Sequence, residues 1–239
     1  MAHYGLQLYS VRDITGNDLE GALKQVAELG YKNMEFAGFF GNSAETVKGW
    51  LDKYGLKITG THTGLDALEK DFEGTVKYHK EIGCYDLIVP YASTKNKAEV
   101  DALVDKMNKY DELLKKEGIR LHYHNHAHEF LPNEDGIVAC EELLKRTDIL
   151  FEIDTFWVFV AKRNPIEVLD TYGKRMKFIH LKDGNADGEG FSLGLGSAPV
   201  KAVLKKALIE GYGIIVESEG LEPTGIEEVA RCMDFLKKQ

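Results

Sequence analysis

Residues 100–124, VDALVDKMNKYDELLKKEGIRLHYH, contain the pattern that decides the fold of this chain. Apolar residues recur three and four positions apart in the first part, which predicts an amphipathic helix. Gly118 then fits the left-handed position that ends many helices. The short apolar run that follows, IRLHYH, predicts a strand. The stretch is therefore one helix–glycine–strand unit.

The same unit recurs along the whole chain. The glycines that would end its helices are Gly30, Gly55, Gly83, Gly118, Gly173 and Gly211. Two further strands are predicted without a helix-ending glycine before them, at Tyr4–Tyr9 and Ile149–Asp154. The last helix is predicted at Ile226–Lys237. Eight strands then alternate with eight helices, and strict alternation requires parallel strands. We therefore predict an α/β fold, a (β/α)8 TIM barrel, with residues 1–239 as its single domain.

An open doubly wound sheet is the alternative architecture. No GxGxxG or GxxxxGK[ST] motif follows any predicted strand, and no break in composition indicates a second domain. Cys84, Cys140 and Cys232 are far apart and form no CxxC pair, so disulfides and a thiolate zinc site are disfavoured. We expect Cys84 and Cys232 to pack as small apolar residues.

Charge and hydropathy limit the partners. The net charge of −9 argues against nucleic acid as the main partner, but it leaves a small phosphorylated substrate open. No run is apolar enough to cross a membrane. The N-terminal sequence MAHYGLQLYSVRD has no basic region followed by an apolar core, which favours a cytoplasmic protein.

Polar or ionisable side chains end most of the predicted strands, where the active sites of TIM barrels lie. Four of them come from four consecutive strands, and a closed barrel would bring them together: His124, Asp154, His180 and Glu217. Two imidazoles and two carboxylates suit one divalent ion such as Mn²⁺, Co²⁺, Zn²⁺ or Fe²⁺, with Mg²⁺ also compatible. Taken singly, His180 fits a core histidine, Asp154 a turn cap and Glu217 a partner of a lysine.

Four histidines lie within residues 122–128, which fits either a solvated loop or a strand that delivers a metal-binding imidazole. The barrel pattern favours the second reading, with His124 as the ligand and His126 as a substrate contact. We assign no function to His122 or His128. His79 is predicted to lie on a helix surface.

Six motifs occur in order along the chain: QLYSVRD, MEFAG, YHNHxxEF, FEIDTFWV, FIHLKD and VESEG. Together they resemble the xylose isomerase-like TIM barrels usually labelled sugar phosphate isomerase/epimerase, a group that includes inosose dehydratase-like proteins. The resemblance implies one divalent metal held by Glu, Asp, His and Glu at the ends of strands five to eight. Asp154, His180 and Glu217 match the last three positions. His124 replaces the first glutamate, which resembles the inosose dehydratase-like branch and disfavours two-base epimerisation.

The expected function is that of a metal-dependent isomerase or epimerase, or of a dehydratase or lyase, acting on a small sugar, keto-sugar or cyclitol. A proton next to a carbonyl would be removed through a metal-stabilised enediolate. Glu152 is a candidate base or a buried partner of a histidine or lysine, and Glu217 is a second catalytic carboxylate. Lys182 is a candidate acid or a surface lysine paired with Asp183. The predicted substrate contacts are Gln7, Glu35, His62, His126 and Trp157.

Two other functions use the same barrel. An abasic-site endonuclease-like phosphodiesterase is disfavoured by the net charge and by the number of ligands. A non-catalytic sugar-binding or partner subunit stays open. We expect a small carbohydrate as the partner, with no nucleic acid and no membrane, and by analogy with the family a homo-oligomer is compatible with the sequence.

Overall fold

Eight parallel strands form a closed barrel in the computed structural model, which describes residues 4–239. Residues 1–3 of the predicted domain lie outside the described residues. The barrel strands are β1 (Gly5–Gln7), β2 (Asn33–Phe36), β3 (Lys57–His62), β4 (Asp86–Val89), β5 (Arg120–His124), β6 (Leu150–Asp154), β7 (Met176–Leu181) and β10 (Gly213–Val216). Pairing of β1 with both β2 and β10 closes the sheet. The predicted TIM barrel is confirmed.

Helices connect consecutive barrel strands on the outside. They are α1 (Arg12–Thr15), α2 (Leu19–Leu29), α3 (Ala44–Tyr54), α4 (Leu65–Lys70), α5 (Phe72–Ile82), α6 (Lys97–Lys116), α7 (Ala139–Arg146), α8 (Thr155–Val160), α9 (Pro165–Tyr172), α10 (Val200–Glu210) and α11 (Gly225–Leu236). A short antiparallel hairpin, β8 (Asp183–Gly184) and β9 (Gly190–Phe191), lies in the connection after β7. Among residues 4–239, no helix has both the length and the hydropathy needed to span a bilayer.

Five of the six predicted helix-ending glycines have the expected positive φ: Gly30, Gly55, Gly83, Gly118 and Gly211. The prediction for Gly173 is wrong, because its φ is −51° and it begins a 3-10 turn after α9. A Cβ at this position would collide with the Tyr212 hydroxyl. Glycine here leaves room for the Tyr212 side chain and does not form a left-handed turn.

The first strand is shorter than predicted because a side chain ends it. The Gln7 side-chain oxygen accepts a hydrogen bond of 2.9 Å from the backbone N–H of Tyr9, which caps the 3-10 helix Leu8–Val11. The chain then continues into α1. The residues after Gln7 consequently bend over the end of the barrel.

Alternation along β5 sends its histidines into the barrel and Tyr123 towards the helices. His122 contacts Asp86 in the layer nearer the N-terminal end, whereas His124 lies beside His62 and His180 nearer the C-terminal end. The Tyr123 hydroxyl donates a hydrogen bond to Glu129. One strand thus supplies an imidazole to each of two interior layers.

The expectation for the cysteines is confirmed, and the expectation for His79 is wrong. All three cysteines are free, as expected, and all three are buried, as expected for Cys84 and Cys232. The prediction that His79 lies on a helix surface is wrong: its Nε2 is 2.7 Å from the Thr61 hydroxyl and its Nδ1 is 2.7 Å from the Thr75 carbonyl oxygen. Because α5 packs over β3, the side of the helix that carries His79 is buried.

Candidate functional site

The four predicted ligands converge at the C-terminal end of the barrel. His124, Asp154 and His180 lie at or near the ends of β5, β6 and β7, and Glu217 directly follows β10. Each offers one donor atom, and the four atoms lie within 4.8 Å of one another. All four side chains are buried. Two nitrogen and two oxygen donors at this spacing suit a divalent transition metal.

Buried polar atoms without partners support this fit. His124 Nδ1, Asp154 Oδ2 and His180 Nδ1 make no hydrogen bond with any part of residues 4–239. Leaving such atoms unpaired in the interior is costly. The other Asp154 oxygen, Oδ1, accepts hydrogen bonds from the first backbone N–H groups of α8. A cation would use the lone pairs that remain, so the donor set fits a metal.

His180 is oriented from behind by a chain of buried polar groups. Its Nε2 lies 2.7 Å from Glu35 Oε1, and the Gln7 amide donates to the same oxygen at 2.7 Å. A carboxylate behind one ring nitrogen leaves the other nitrogen as the donor to a metal, and His180 Nδ1 lies 3.4 Å from Glu217 Oε2. Gln7 and Glu35 are fully buried beneath His180. Their predicted contact with substrate hydroxyls stays a prediction that this placement does not support.

Asp154 is held by its backbone as well as by its side chain. The Asn125 side-chain oxygen accepts a hydrogen bond of 3.0 Å from the Asp154 N–H, and its amide donates to the Asp154 carbonyl at 3.2 Å. Asn125 follows His124 by one residue. The short segment that supplies one candidate ligand therefore also positions a second.

Glu152 lies at the centre of a second, deeper cluster. Its Oε2 is 3.0 Å from His62 Nε2, 3.1 Å from His180 Nε2 and 3.5 Å from His124 Nδ1. One donor atom from each of these four residues also lies within 4.8 Å of the others. Direct contacts between the carboxylate and the imidazoles already join this cluster. Glu152 therefore matches the alternative expectation of a buried histidine partner, and its role as a base stays a prediction.

Burial and nearby charges shift the pKa values of the histidines at this site in opposite directions. Burial lowers the pKa of His124 to about 3, so its imidazole is neutral, as a metal ligand requires. Burial alone would also lower the pKa of His62, but the carboxylates of Glu35 and Glu152 outweigh it and raise that pKa to about 9. The same competition between burial and these two carboxylates raises the pKa of His180 well above its usual value.

The pKa values of the two candidate carboxylate ligands, Asp154 and Glu217, also shift in opposite directions. Burial raises the pKa of Asp154 to about 7, although the ammonium of Lys182 opposes this shift. For Glu217, burial also favours the neutral acid, but Lys182 and His180 outweigh burial and hold the pKa well below its usual value. Without a cation, the pKa values of Asp154 and His180 are therefore raised, whereas those of His124 and Glu217 are lowered.

Lys182 is a buried residue of the site and not a surface lysine paired with Asp183. Its Nζ lies 2.6 Å from Glu219 Oε1 and 3.5 Å from Glu217 Oε2. Burial lowers the pKa of Lys182, but Glu217, Asp154 and Glu219 outweigh it, so the net shift is upwards. The ammonium also lies 4.6 Å from the centre of the Trp157 ring. One face of the predicted stacking residue is therefore covered by a cation.

Asp183 faces away from Lys182 and organises the connection that follows β7. Its two carboxylate oxygens accept four hydrogen bonds of 2.8–3.2 Å, from the backbone N–H groups of Gly184, Gly194, Gly196 and Ala198. This set of amides resembles an anion-binding nest. The Asp183 carboxylate occupies this nest.

A cavity of about 510 Å³ opens above the candidate ligands. His124 and Glu217 lie in its floor, and the predicted contacts His62 and His126 lie in its wall. Sequence reasoning missed six further lining residues: Tyr9, Arg12, Ala37, Pro90, Tyr91 and Glu219. The QLYSVRD motif contains the first two and the VESEG motif contains Glu219, so these motifs were the available signals. A second cavity of about 450 Å³ lies on another side of His62, between the connections after β2 and β3.

Comparisons with known proteins agree with this architecture. The family model described as xylose isomerase-like TIM barrel matches residues 23–239. An inosose dehydratase from Geobacillus kaustophilus is 25% identical over 190 residues, which cover 69% of this chain and 62% of the relative. An inosose dehydratase from Clostridium beijerinckii is 25% identical, with 72% of this chain and 65% of the relative covered. The match thus spans less than two thirds of the length of these relatives.

Solved structures show the same barrel. A sugar phosphate isomerase/epimerase from Parabacteroides distasonis is 25% identical and superposes with a TM-score of 0.84, covering 99% of this chain and 93% of its own. The probable 3-DHS dehydratase of petrobactin synthesis from Bacillus anthracis is 14% identical, with a TM-score of 0.79 and coverages of 98% and 98%. The similarity to the Bacillus anthracis protein shows only that the fold is shared.

Proposed function

Because this chain belongs to the family of xylose isomerase-like TIM barrels, we propose that it is a metal-dependent enzyme of carbohydrate chemistry. It removes a proton from a carbon next to the carbonyl of a small sugar, keto-sugar or cyclitol, as an isomerase, an epimerase or a carbon–oxygen lyase. The observation that carries this proposal is the convergence of two imidazoles and two carboxylates on the floor of a cavity. The names of the curated relatives, inosose dehydratases, favour dehydration among these reactions.

Four residues would hold one divalent ion: His124, Asp154, His180 and Glu217. When bound, this ion supplies a Lewis acid that polarises a substrate carbonyl. Mn²⁺, Co²⁺, Zn²⁺ and Fe²⁺ suit the mixed nitrogen and oxygen donors better than Mg²⁺ does. The buried partners described above keep the donors in place: Glu35 behind His180, and Asn125 beside Asp154.

Glu217 is the carboxylate that we assign as the base. It lies in the cavity floor, whereas Glu152 is fully buried behind His62. Glu152 on this proposal positions His62, which is the alternative role expected for it, a buried partner of a histidine. Because His124 stands where many relatives have a glutamate, the site has one cavity-lining carboxylate base among its candidate ligands. A single base suits isomerisation or elimination.

His62 and Lys182 lie on opposite sides of the barrel, but only His62 lines the cavity. His62 ends β3 and lies between the Glu35 and Glu152 carboxylates, with its Nε2 3.2 Å and 3.0 Å from them. Lys182 follows β7, on the far side of the closed strand order. In a dehydration, His62 protonates the departing β-hydroxyl, which leaves as water while the carbon–carbon double bond forms, and the role of Lys182 as an acid stays a prediction.

Exchange of substrate hydrogen with solvent tests the reaction. The protein with Mn²⁺ or Co²⁺ is incubated in D₂O with ketoses, inososes and 3-keto-glycosides, and deuterium uptake and water loss are followed by NMR. We expect uptake next to the carbonyl for at least one substrate class. A protein that binds metal but exchanges no hydrogen in any class contradicts the proposal.

Metal analysis tests the donor set separately. We expect one divalent ion per chain in the wild type, and loss of that stoichiometry in His124→Ala and His180→Ala. His128→Ala is the matched control, because His128 lies in the same segment but outside the donor set. Unchanged metal content in the first two variants would remove the site.

A further inference from the structure

We infer that the substrate carries a second, neutral sugar ring, which binds in the outer part of the cavity against Tyr9 and Tyr91. The inference rests on the proposed function, which assigns the reacting ring to the cavity floor. We call the outer part the aromatic mouth and define it by Tyr9, Arg12, Pro90 and Tyr91, all of which line the cavity.

Tyr9 is a fixed but accessible aromatic ring. It remains 43% exposed although its backbone N–H is bound by Gln7. The Arg12 guanidinium lies 4.5 Å from the ring centre, and its own N–H groups donate to the carbonyl oxygens of Tyr9 at 3.1 Å and Glu219 at 2.8 Å. The cation covers one part of the ring and anchors it. The exposed part is left for a ligand.

Tyr91 is the second accessible ring of the mouth. It is 59% exposed, and it follows Pro90, whose ring restricts the backbone just after β4. Its ring centre is 5.9 Å from that of His126 and 5.3 Å from that of His128. Single exposed aromatic residues are ordinary on protein surfaces. Tyr9 and Tyr91, however, are both held in place and line the same cavity above the candidate reaction centre. Aromatic side chains in such positions are typical of ligand-binding pockets.

The size and chemistry of the mouth favour a second sugar ring. The cavity of about 510 Å³ is larger than a single six-membered sugar ring needs. Tyrosine offers an apolar face to ring C–H groups and a hydroxyl to ring oxygens. The Glu219 carboxylate lines the same cavity, and a carboxylate accepts hydrogen bonds from sugar hydroxyls.

A phosphate group is the competing occupant of the mouth, and the charges disfavour it. Lys182 is paired with Glu219, and the amides after β7 are filled by Asp183. Arg12 already donates to two carbonyl oxygens. Two carboxylates in the cavity repel an anion. The second unit is therefore neutral.

Calorimetric titration of the metal-loaded protein with matched ligands tests this inference. The pairs are cellobiose with methyl β-D-glucopyranoside, lactose with methyl β-D-galactopyranoside, and β-1,4-mannobiose with methyl β-D-mannopyranoside. We expect at least one disaccharide to bind about tenfold more tightly than its single-ring partner, the size of effect that stacking on an aromatic ring provides. In Tyr91→Ala and Tyr9→Ala this ratio falls, and in Tyr91→Phe it persists.

Tyr85→Ala is the matched control. Tyr85 is 45% exposed and precedes the same strand β4, so it lies at the opposite end of the barrel. The disaccharide preference should be unchanged in this variant. The inference is overturned if no pair shows a preference in the wild type, or if the preference survives the double substitution of Tyr9 and Tyr91 by alanine.

Deuterium exchange keeps this test separate from the proposed function. Exchange on single-ring substrates without any disaccharide preference removes the second subsite and leaves the function. A disaccharide preference without exchange on any substrate removes the function and leaves a sugar-binding mouth.

Discussion

The two ends of the barrel both contain a buried cluster of histidine and carboxylate groups, but the clusters are completed differently. At the N-terminal end, Asp86 accepts hydrogen bonds of 2.5–2.9 Å from Arg120, His122 and Lys177. The carboxylate there is surrounded by the Arg120 guanidinium, the Lys177 ammonium and the His122 imidazole. At the C-terminal end, carboxylates outnumber the cationic side chains, and one buried polar atom in each of His124, Asp154 and His180 makes no hydrogen bond within residues 4–239.

His122 and His124 make this contrast within one strand. Both are buried on the inner face of β5, two residues apart. Each has a buried Nδ1 that makes no hydrogen bond within residues 4–239, but His122 Nε2 lies 2.9 Å from the Asp86 carboxylate, whereas His124 lies among three further candidate ligands. The comparison teaches that an unpaired ring nitrogen alone does not indicate a ligand, because donor atoms of other residues must also converge around it.

The largest effect should come from the C-terminal cluster. In Glu217→Gln at saturating metal, we expect the solvent-exchange rate to fall by about 10²–10⁴-fold, the usual effect of removing a general base. Asp86→Asn is the control at the other end, and its rate per folded molecule should equal that of the wild type. NMR of deuterium uptake measures both. Equal losses in the two variants would mean that the two ends are not functionally distinct.

Stability should depend on the opposite end. Asp86→Ala leaves His122 and two half-exposed cations without their shared carboxylate, so we expect the free energy of unfolding to fall by about 2–4 kcal/mol. Urea titration followed by circular dichroism measures this change. Glu112→Ala, which breaks an exposed pair with Lys116, should leave the unfolding midpoint unchanged. A loss no greater than in this control would contradict the stabilising role of the Asp86 network.

Added metal should stabilise the protein through the C-terminal cluster alone. At 100 times its dissociation constant, a ligand that binds only the folded state adds about 2.7 kcal/mol. We expect Mn²⁺ or Co²⁺ to raise the melting temperature of the wild type and of His122→Gln, but not that of Asp154→Asn. Differential scanning calorimetry distinguishes the three proteins. A full response in Asp154→Asn would place the ion elsewhere.

Acid should affect the N-terminal network in a defined direction. Burial would raise the pKa of Asp86, but hydrogen bonds from Arg120 and His122 outweigh burial and lower it well below its usual value. A group whose pKa is lowered on folding contributes stability above its unfolded pKa of about 3.9 and loses that contribution at lower pH. The difference in unfolding free energy between wild type and Asp86→Asn should therefore be constant from about pH 5 to 7 and shrink below about pH 4. A difference that grows with acid would reverse the assignment.

Much of the fold could be predicted because it depends on local pattern. Helical periodicity followed by glycine and an apolar run needs only neighbouring residues, so the strand and helix order followed from sequence. The convergence of His124, Asp154 and His180 followed from their positions near strand ends, since a closed barrel brings those ends together.

Partners across the barrel could not be predicted from local pattern. His180 and Glu35 are separated by 145 residues, and His62 and Glu152 by 90. Lys182 and Asp183 are adjacent in sequence, but neighbouring residues of an extended segment point to opposite sides, so Lys182 pairs with Glu219. The Tyr9 and Tyr91 rings belong to connections whose course depends on the completed barrel.

Asp183 has a consequence for how this protein can evolve. It holds the connection after β7 through four backbone amides, three of which belong to glycines that have no room for a Cβ. The side chains at the tip, Asn185–Gly188, do not contribute to this anchor. Substitutions or insertions there can change what the connection presents to a ligand while Asp183 keeps its ends in place. Such a connection lets new specificities be sampled without loss of the barrel that carries them.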